Sequence, residues 1–114
     1  MPSDFRHFEA ADPAGGTWKI DFLWQQNAIS IRHADAIDVK FALSSGDTRA
    51  TKVIALTHPL LLELSRTLGR PLTDAWCSRL AAAHLKRMIE TGEDMDKDLV
   101  TPSLEALCMD SKPF

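Results

Sequence analysis

Tyrosine is absent from this sequence, and cysteine and glycine are scarce. There are two cysteines and five glycines among the 114 residues, and no glycine-rich segment follows an apolar run in the way that phosphate-binding loops do. No serine, cysteine or lysine stands in a recognised nucleophile motif. Long apolar segments are also missing, since none approaches the roughly 20 residues that a transmembrane helix needs. These patterns predict neither an enzyme, nor a bound cofactor, nor a membrane protein.

The charge balance is slightly acidic. Thirteen lysines and arginines face sixteen aspartates and glutamates, for a net charge of −3, which offers no basic field to a phosphate backbone or an anionic membrane. The first four residues lack the basic region and apolar run of a secretory signal. Cys77 and Cys108 are far apart, which favours free thiols in a reducing compartment over a disulfide. We expect a cytoplasmic protein that binds no nucleic acid.

The most strongly patterned segment covers residues 72–92. Wound as a helix, it spreads apolar side chains over most of its circumference. Thr73 can cap its first turn, and Gly92 can end it in the left-handed conformation. A helix with so wide an apolar surface must pack against a sheet or other helices on most of its sides. We therefore predict that it forms the centre of the core. A second helix is predicted before it, over residues 59–68 with Gly69 at its end.

Four segments before these helices alternate apolar and polar side chains with the period of a strand. They are residues 17–24, 29–33, 37–43 and 49–56, and a turn is predicted at 25–27 between the first two. In the last segment, Val53 and Ala55 are assigned to the core face and Ile54 to the opposite face. Short connections pair consecutive strands antiparallel. The predicted fold class is therefore α+β, an antiparallel meander of about four strands with two C-terminal helices packed on one face.

Composition divides the chain into three parts. We predict a flexible N-terminal arm over residues 1–16, which ends in a segment rich in proline and glycine. Residues 17–92 form the single α+β domain. Residues 93–114 form an acidic C-terminal tail with a short helix predicted around Leu104 and Leu107.

Two residue patterns match part of a metal-binding site, but neither contains all the residues that the site needs. The carboxylates at positions 94, 96, 98 and 105 have the spacing of a calcium loop, but Leu99 stands where that loop needs glycine. Cys77 and His84 lie two turns apart on one helix face, yet no further ligand stands at a metal-binding spacing. We therefore predict no metal and interpret His84 as a buried neutral histidine bonded to a backbone carbonyl.

An excess of apolar side chains outside the predicted core favours protein contacts. The candidate interface residues are Leu60, Leu62, Ile54 and Leu56. Surfaces of this kind are usually covered by a second chain. We predict an accessory or regulatory module that acts through protein–protein contacts with an unidentified partner. We also expect a homodimer, formed through the outer face of the first helix or through an edge strand such as residues 49–56.

Two alternatives remain open. The first is a small-molecule-binding protein with a pocket between sheet and helices, whose candidate residues are Trp18, Trp24, Trp76 and His84. The second is a DNA-binding protein, because residues 61–69 and 73–85 resemble a helix-turn-helix at the level of pattern. Against the second, Asp74 at the start of the later helix would repel phosphate.

Overall fold

The computed structural model of the chain describes residues 6–28, 36–69, 71, 73–93 and 95–110. Over these ranges the backbone forms five strands and three helices. In chain order they are β1 (His7–Ala11), β2 (Thr17–Ala28), β3 (Ala36–Ser45), β4 (Thr48–Thr57), α1 (His58–Leu68), α2 (Asp74–Thr91), β5 (Leu99–Val100) and α3 (Leu104–Asp110). The strands form one sheet in the order β1-β2-β3-β4-β5, with antiparallel neighbours from β1 to β4 and a parallel pairing of β4 with β5.

The predicted α+β class and its mostly antiparallel meander are confirmed. The strand count differs, because β1 forms within the predicted arm and β5 forms within the predicted tail. α3 is the short helix predicted in the tail around Leu104 and Leu107. The strand predicted at 29–33 lies outside the described residues, and the division into arm, domain and tail stays a prediction. None of the described helices is both long and apolar enough to cross a membrane.

A bulge in β2 changes the side-chain alternation expected for that strand. Phe22 pairs with Phe41, but Trp24 pairs with Lys40, the residue just before Phe41. One extra residue in a strand turns every following side chain to the other face. Trp24 therefore lies on the outer face of the sheet, and Gln25 lies on the inner face, where its side chain accepts a hydrogen bond from α2. The turn predicted to begin at Gln25 is wrong, since the ladder with β3 continues through it.

In β4 the alternation has the opposite phase to the predicted one. Ile54 pairs with Val39 and Leu56 pairs with Ile37, and directly opposed residues of antiparallel strands share a face. Ile54 and Leu56 are therefore fully buried in the core, and their predicted position on the outer face is wrong. Residues 53–56 are apolar in both phases, so only the register with β3 decides which of them face the helices.

The core lies between the inner face of the sheet and the helices. α2 contacts each of the strands from β1 to β4. The Thr73 hydroxyl accepts a hydrogen bond from the Trp76 amide at 3.1 Å, and Gly92 ends α2 with a φ of 76°, which confirms the predicted helix and both of its boundaries. The buried residues of α2 are Trp76, Cys77, Ser78, Leu80, Ala81, Ala82, His84, Leu85, Met88 and Ile89.

Lys52 fastens the segment after α2 to the sheet. Its buried ammonium donates hydrogen bonds to the backbone oxygens of Met95, at 2.9 Å, and Lys97, at 2.6 Å. The Val53 amide donates to the Asp98 oxygen at 2.8 Å, and β5 follows directly. These bonds fix where the chain leaves the sheet, and so they determine where α3 meets α2.

Candidate functional site

The three tryptophans of the predicted pocket lie in separate places. Trp18 is half-buried, and its indole N–H donates a hydrogen bond to Asp12 Oδ2 at 3.1 Å. Trp24 lies on the outer face of the sheet, with Lys40 Nζ 5.7 Å from the centre of its ring. Trp76 is buried in the first turn of α2. The sheet therefore separates Trp24 from the other two rings.

Trp18 and Trp76 lie near opposite ends of α2. The C-terminal end of this helix lies at the turn between β1 and β2, because a Cβ at Gly92 would meet the ring of Pro13 at 3.4 Å. Trp18 is bonded to the start of the same turn. Trp76 stands at the other end of an 18-residue helix, which is about 27 Å long. The structure does not bring the three rings together, and His84, in the middle of α2, has other partners.

Two of the four predicted interface residues are buried within the chain. Ile54 and Leu56 belong to the core, whereas Leu60 is half-buried and Leu62 is 58% exposed. The expected edge strand is also partly covered, because β5 pairs with β4 at Val53 and Ile54. Of the predicted interface, α1 with Leu62 is the part that remains on the surface.

A cluster of three ionisable side chains, of which His84 and Asp110 are buried and Arg87 is partly exposed, joins α2 to α3. His84 Nδ1 lies 2.7 Å from Asp110 Oδ2, and these side chains are 7% and 1% exposed. Arg87 donates a hydrogen bond from Nε to the other oxygen, Asp110 Oδ1, also at 2.7 Å. His84 and Arg87 reach one carboxylate because residues three apart are neighbours on a helix surface. The predicted bond from His84 to a backbone carbonyl is wrong, since its partner is a side-chain carboxylate from α3.

The hydrogen bonds of Asp110 determine which nitrogen of His84 carries the proton. A guanidinium stays charged in proteins, and a carboxylate that accepts from it on one oxygen can accept from the imidazole on the other. Nδ1 of His84 is therefore the donor, and in the neutral ring Nε2 keeps a free lone pair. Within the described part of the chain, Nε2 is buried and has no hydrogen-bond partner.

An open cavity of about 340 Å³ lies beside this cluster. His84 and Arg87 line it from α2, and Glu105 lines it from α3. Glu93, Thr101 and Ser103 form the remaining polar wall, and the apolar wall consists of Val100, Pro102, Ala106 and Met109. Ligand pockets in proteins have volumes of about 300–1,000 Å³. This cavity therefore has the size for a small ligand, and one of the side chains that line it, His84, carries a buried acceptor without a described partner.

Neither Arg87 nor Asp110 stands out in the sequence as a site residue. Their spacing nevertheless carries a signal, because Arg87 follows His84 by three residues and Asp110 follows the buried Leu107 by three. A carboxylate on the apolar face of a short helix needs a buried donor as its partner. Which donor the Asp110 carboxylate bonds to depends on how α3 packs on α2. That packing cannot be derived from the residues near Asp110 in the sequence.

Within the described part of the chain, the residues of the two partial metal patterns are not brought together in a group of three or more ligands. Among residues 6–28, 36–69, 71, 73–93 and 95–110, no three histidine, cysteine or acidic side chains lie close enough to hold a metal ion. Asp94, the first residue of the calcium-loop pattern, lies outside these ranges. Cys77 and Cys108 are free thiols, and burial, with Asp74 nearby, raises the pKa of Cys77 to about 11.

Comparison with known proteins identifies no family for this chain. No protein-family model, no curated protein and no solved structure matches the chain. The functional argument therefore depends on the geometry of the site.

Proposed function

We propose that this protein binds a small molecule in the cavity between α2, α3 and residues 101–103. The observation that carries the proposal is Nε2 of His84, a buried acceptor without a described partner, on a side chain that lines that cavity. An unpaired buried acceptor costs about 1–3 kcal/mol, and such groups are nearly always paired in folded proteins. A ligand that donates a hydrogen bond to Nε2 would remove this cost, and the gain would contribute to its affinity.

The orientation of the His84 ring supports a binding role. Asp110 accepts from Nδ1 at 2.7 Å and is itself held by Arg87. Carboxylates behind functional histidines commonly fix the tautomer and the angle of the ring in this way. An acceptor that is already oriented loses little conformational freedom when a ligand arrives, which favours binding.

The surrounding architecture supports the same assignment. We infer that α1 and α2 cover one face of the sheet, since α2 contacts β1 to β4 and α1 contacts both β4 and α3. In this arrangement α3 lies beside α2, and both helices contribute side chains to the lining of the open cavity. The two free thiols fit a reducing compartment, so we place the binding function in the cytoplasm.

Native mass spectrometry of gently purified protein tests the proposal. We expect a small-molecule adduct on the wild-type chain that is lost in His84→Gln. The matched control is His7→Gln, because His7 also bonds to an aspartate through Nδ1, at 2.5 Å, but is exposed. Circular dichroism of each variant verifies the fold. An adduct that survives in His84→Gln, or the bare chain mass in all three proteins, would contradict the proposal.

A second proposal is a homodimer that acts through protein contacts, and the exposure of Leu62 favours it. Leu62 is 58% exposed on α1, and a two-fold contact between two copies of α1 would cover it. Single exposed leucines are also common on monomers. The homodimer proposal therefore ranks behind small-molecule binding, because small-molecule binding would supply a partner for the buried Nε2 of His84.

A further inference from the structure

The geometry points to an organic ammonium group as the part of the ligand that this cavity recognises, an inference that rests on the proposed binding function. Three observations carry it. A side chain of the lining carries a buried unpaired acceptor, the lining has more negative than positive groups, and no three described side chains lie close enough together to ligate a metal ion.

The first observation concerns the unpaired nitrogen of His84. Asp110 accepts a hydrogen bond from Nδ1–H of His84, so Nε2 of the neutral ring can only accept one. Its side chain is 7% exposed, and Nε2 itself has no described partner. A ligand group that only accepts hydrogen bonds would leave Nε2 unpaired, whereas a group with N–H donors satisfies it.

The second observation concerns charge. The lining contains one guanidinium, that of Arg87, and two carboxylates, those of Glu93 and Glu105. Arg87 is already bonded to Asp110, whereas neither glutamate forms an ion pair with a described residue. A concave surface on which carboxylates outnumber cationic groups attracts cations. An anion approaching Arg87 would also meet the charge of Asp110 directly behind it.

The third observation separates an organic cation from a metal ion. A metal requires several ligands at fixed distances, and no three suitable side chains within the described ranges provide them. An ammonium group requires less, because its three N–H donors can bond to separate acceptors, water among them, without a fixed set of ligand distances. Nε2 of His84 and the carboxylates of Glu93 and Glu105 supply acceptors of the required kind, and the apolar wall can pack against an alkyl chain.

Nitrogen NMR of the full chain with ¹⁵N-labelled histidine tests the inference. The probes are n-butylammonium, n-butanol and n-butyrate, which share one alkyl chain and differ in charge and donors. The signals of the four histidines are assigned with His84→Gln and His7→Gln. In mildly alkaline buffer we expect butylammonium to shift Nε2 of His84 saturably, with a Kd of about 1–50 mM for so small a ligand. Butyrate should leave this signal unchanged.

Two double variants distinguish direct contact between the ligand and the cavity carboxylates from long-range attraction by the net charge of the protein. Glu93→Gln with Glu105→Gln should weaken butylammonium binding about tenfold. The matched control, Glu9→Gln with Glu90→Gln, removes the same charge from exposed positions outside the cavity, and binding should stay within about twofold. Equal weakening by both double variants would overturn the inference, because long-range attraction would then explain the binding.

The three probes also distinguish the inference from the proposed function. If butyrate or butanol shifts Nε2 of His84 and butylammonium does not, the ammonium inference is overturned and small-molecule binding stands. A ligand of five or six non-hydrogen atoms that fits a ligand pocket should bind with a Kd of about 50 mM or tighter. If none of the three probes shifts the Nε2 signal at concentrations up to about 50 mM, both the ammonium inference and the proposed small-molecule binding are overturned.

Discussion

Asp110 accepts hydrogen bonds on both of its oxygens, and Asp110→Asn removes that symmetry with almost no change in shape. The carboxylate faces two donors, Nδ1 of His84 and Nε of Arg87, each at 2.7 Å. Asparagine offers one oxygen and one NH₂ group. The permanent donor of Arg87 should retain the oxygen, and the NH₂ group then faces His84. We expect the variant to fold with weaker links between α2 and α3.

The expected loss follows from these two bonds. A hydrogen bond to a charged group contributes about 1.5–3 kcal/mol, whereas a neutral one contributes about 0.5–1.5 kcal/mol. Both bonds lose the charge of the carboxylate, so each weakens by roughly 1 kcal/mol. The free energy of unfolding should therefore fall by about 2 kcal/mol, which lowers Tm by about 8 °C for a domain of this size.

The same substitution should reverse the tautomer of His84. An NH₂ group opposite Nδ1 requires Nδ1 to accept, so the proton moves to Nε2. Nitrogen NMR distinguishes protonated from unprotonated ring nitrogens and should report Nδ1–H in the wild type and Nε2–H in Asp110→Asn. Because Nε2 then donates, butylammonium binding should be lost in this variant.

The exposed pair of His7 and Asp21 supplies the control. Its Nδ1 to Oδ1 distance is 2.5 Å, but the side chains are 73% and 53% exposed. Asp21→Asn should therefore change Tm by no more than about 2 °C. The reasoning is refuted if Asp110→Asn retains the wild-type Tm and the Nδ1–H tautomer, because Asp110 would then not orient His84.

Three further predictions follow from burial. Trp76→Ala should lower the free energy of unfolding by about 3–5 kcal/mol, and an unchanged denaturant midpoint would place Trp76 at the surface. The raised pKa of Cys77, about 11 against an ordinary 9.0, means that the unfolded thiol ionises first, so stability should fall as pH rises from 9.0 to about 11. Cys77→Ala should remove this component of the pH dependence, and a native Cys77 that reacts with a thiol reagent as fast as Cys108 would contradict its burial. A dimer in light scattering at about 100 μM that Leu62→Glu dissociates would support the second proposal, whereas a monomeric wild type would remove its support.

The helix α2 and its position in the core could be predicted from the sequence. Its apolar arc repeats with the period of a helix, and Thr73 and Gly92 mark its ends. These signals are local, since a helix forms all of its backbone bonds within one segment. His84 was also identifiable as a buried residue, because burial depends on helical phase. A carboxylate partner was not, since Asp110 lies 26 residues away.

The orientation of the strands required the tertiary structure. Strand periodicity places side chains on alternating faces, but one bulge reverses the assignment, as it does for Trp24. The pocket prediction that combined Trp18, Trp24 and Trp76 assumed one uninterrupted phase and a common neighbourhood. The position of Ile54 in the core likewise depends on its register with β3, because the apolar run around it fits either phase.

The sequence by itself determined that a wide apolar helix covers an antiparallel meander and that His84 lies on the buried side of that helix. Only the tertiary structure decided that α3 reaches back to α2, so that Asp110 bonds to Nδ1 of His84 and Nε2 is left without a described partner on a side chain that lines a cavity. The physical reason is the range of the interactions. Periodicity and helix capping operate over a few residues, whereas strand register and the pairing of buried charges are decided when distant segments pack together.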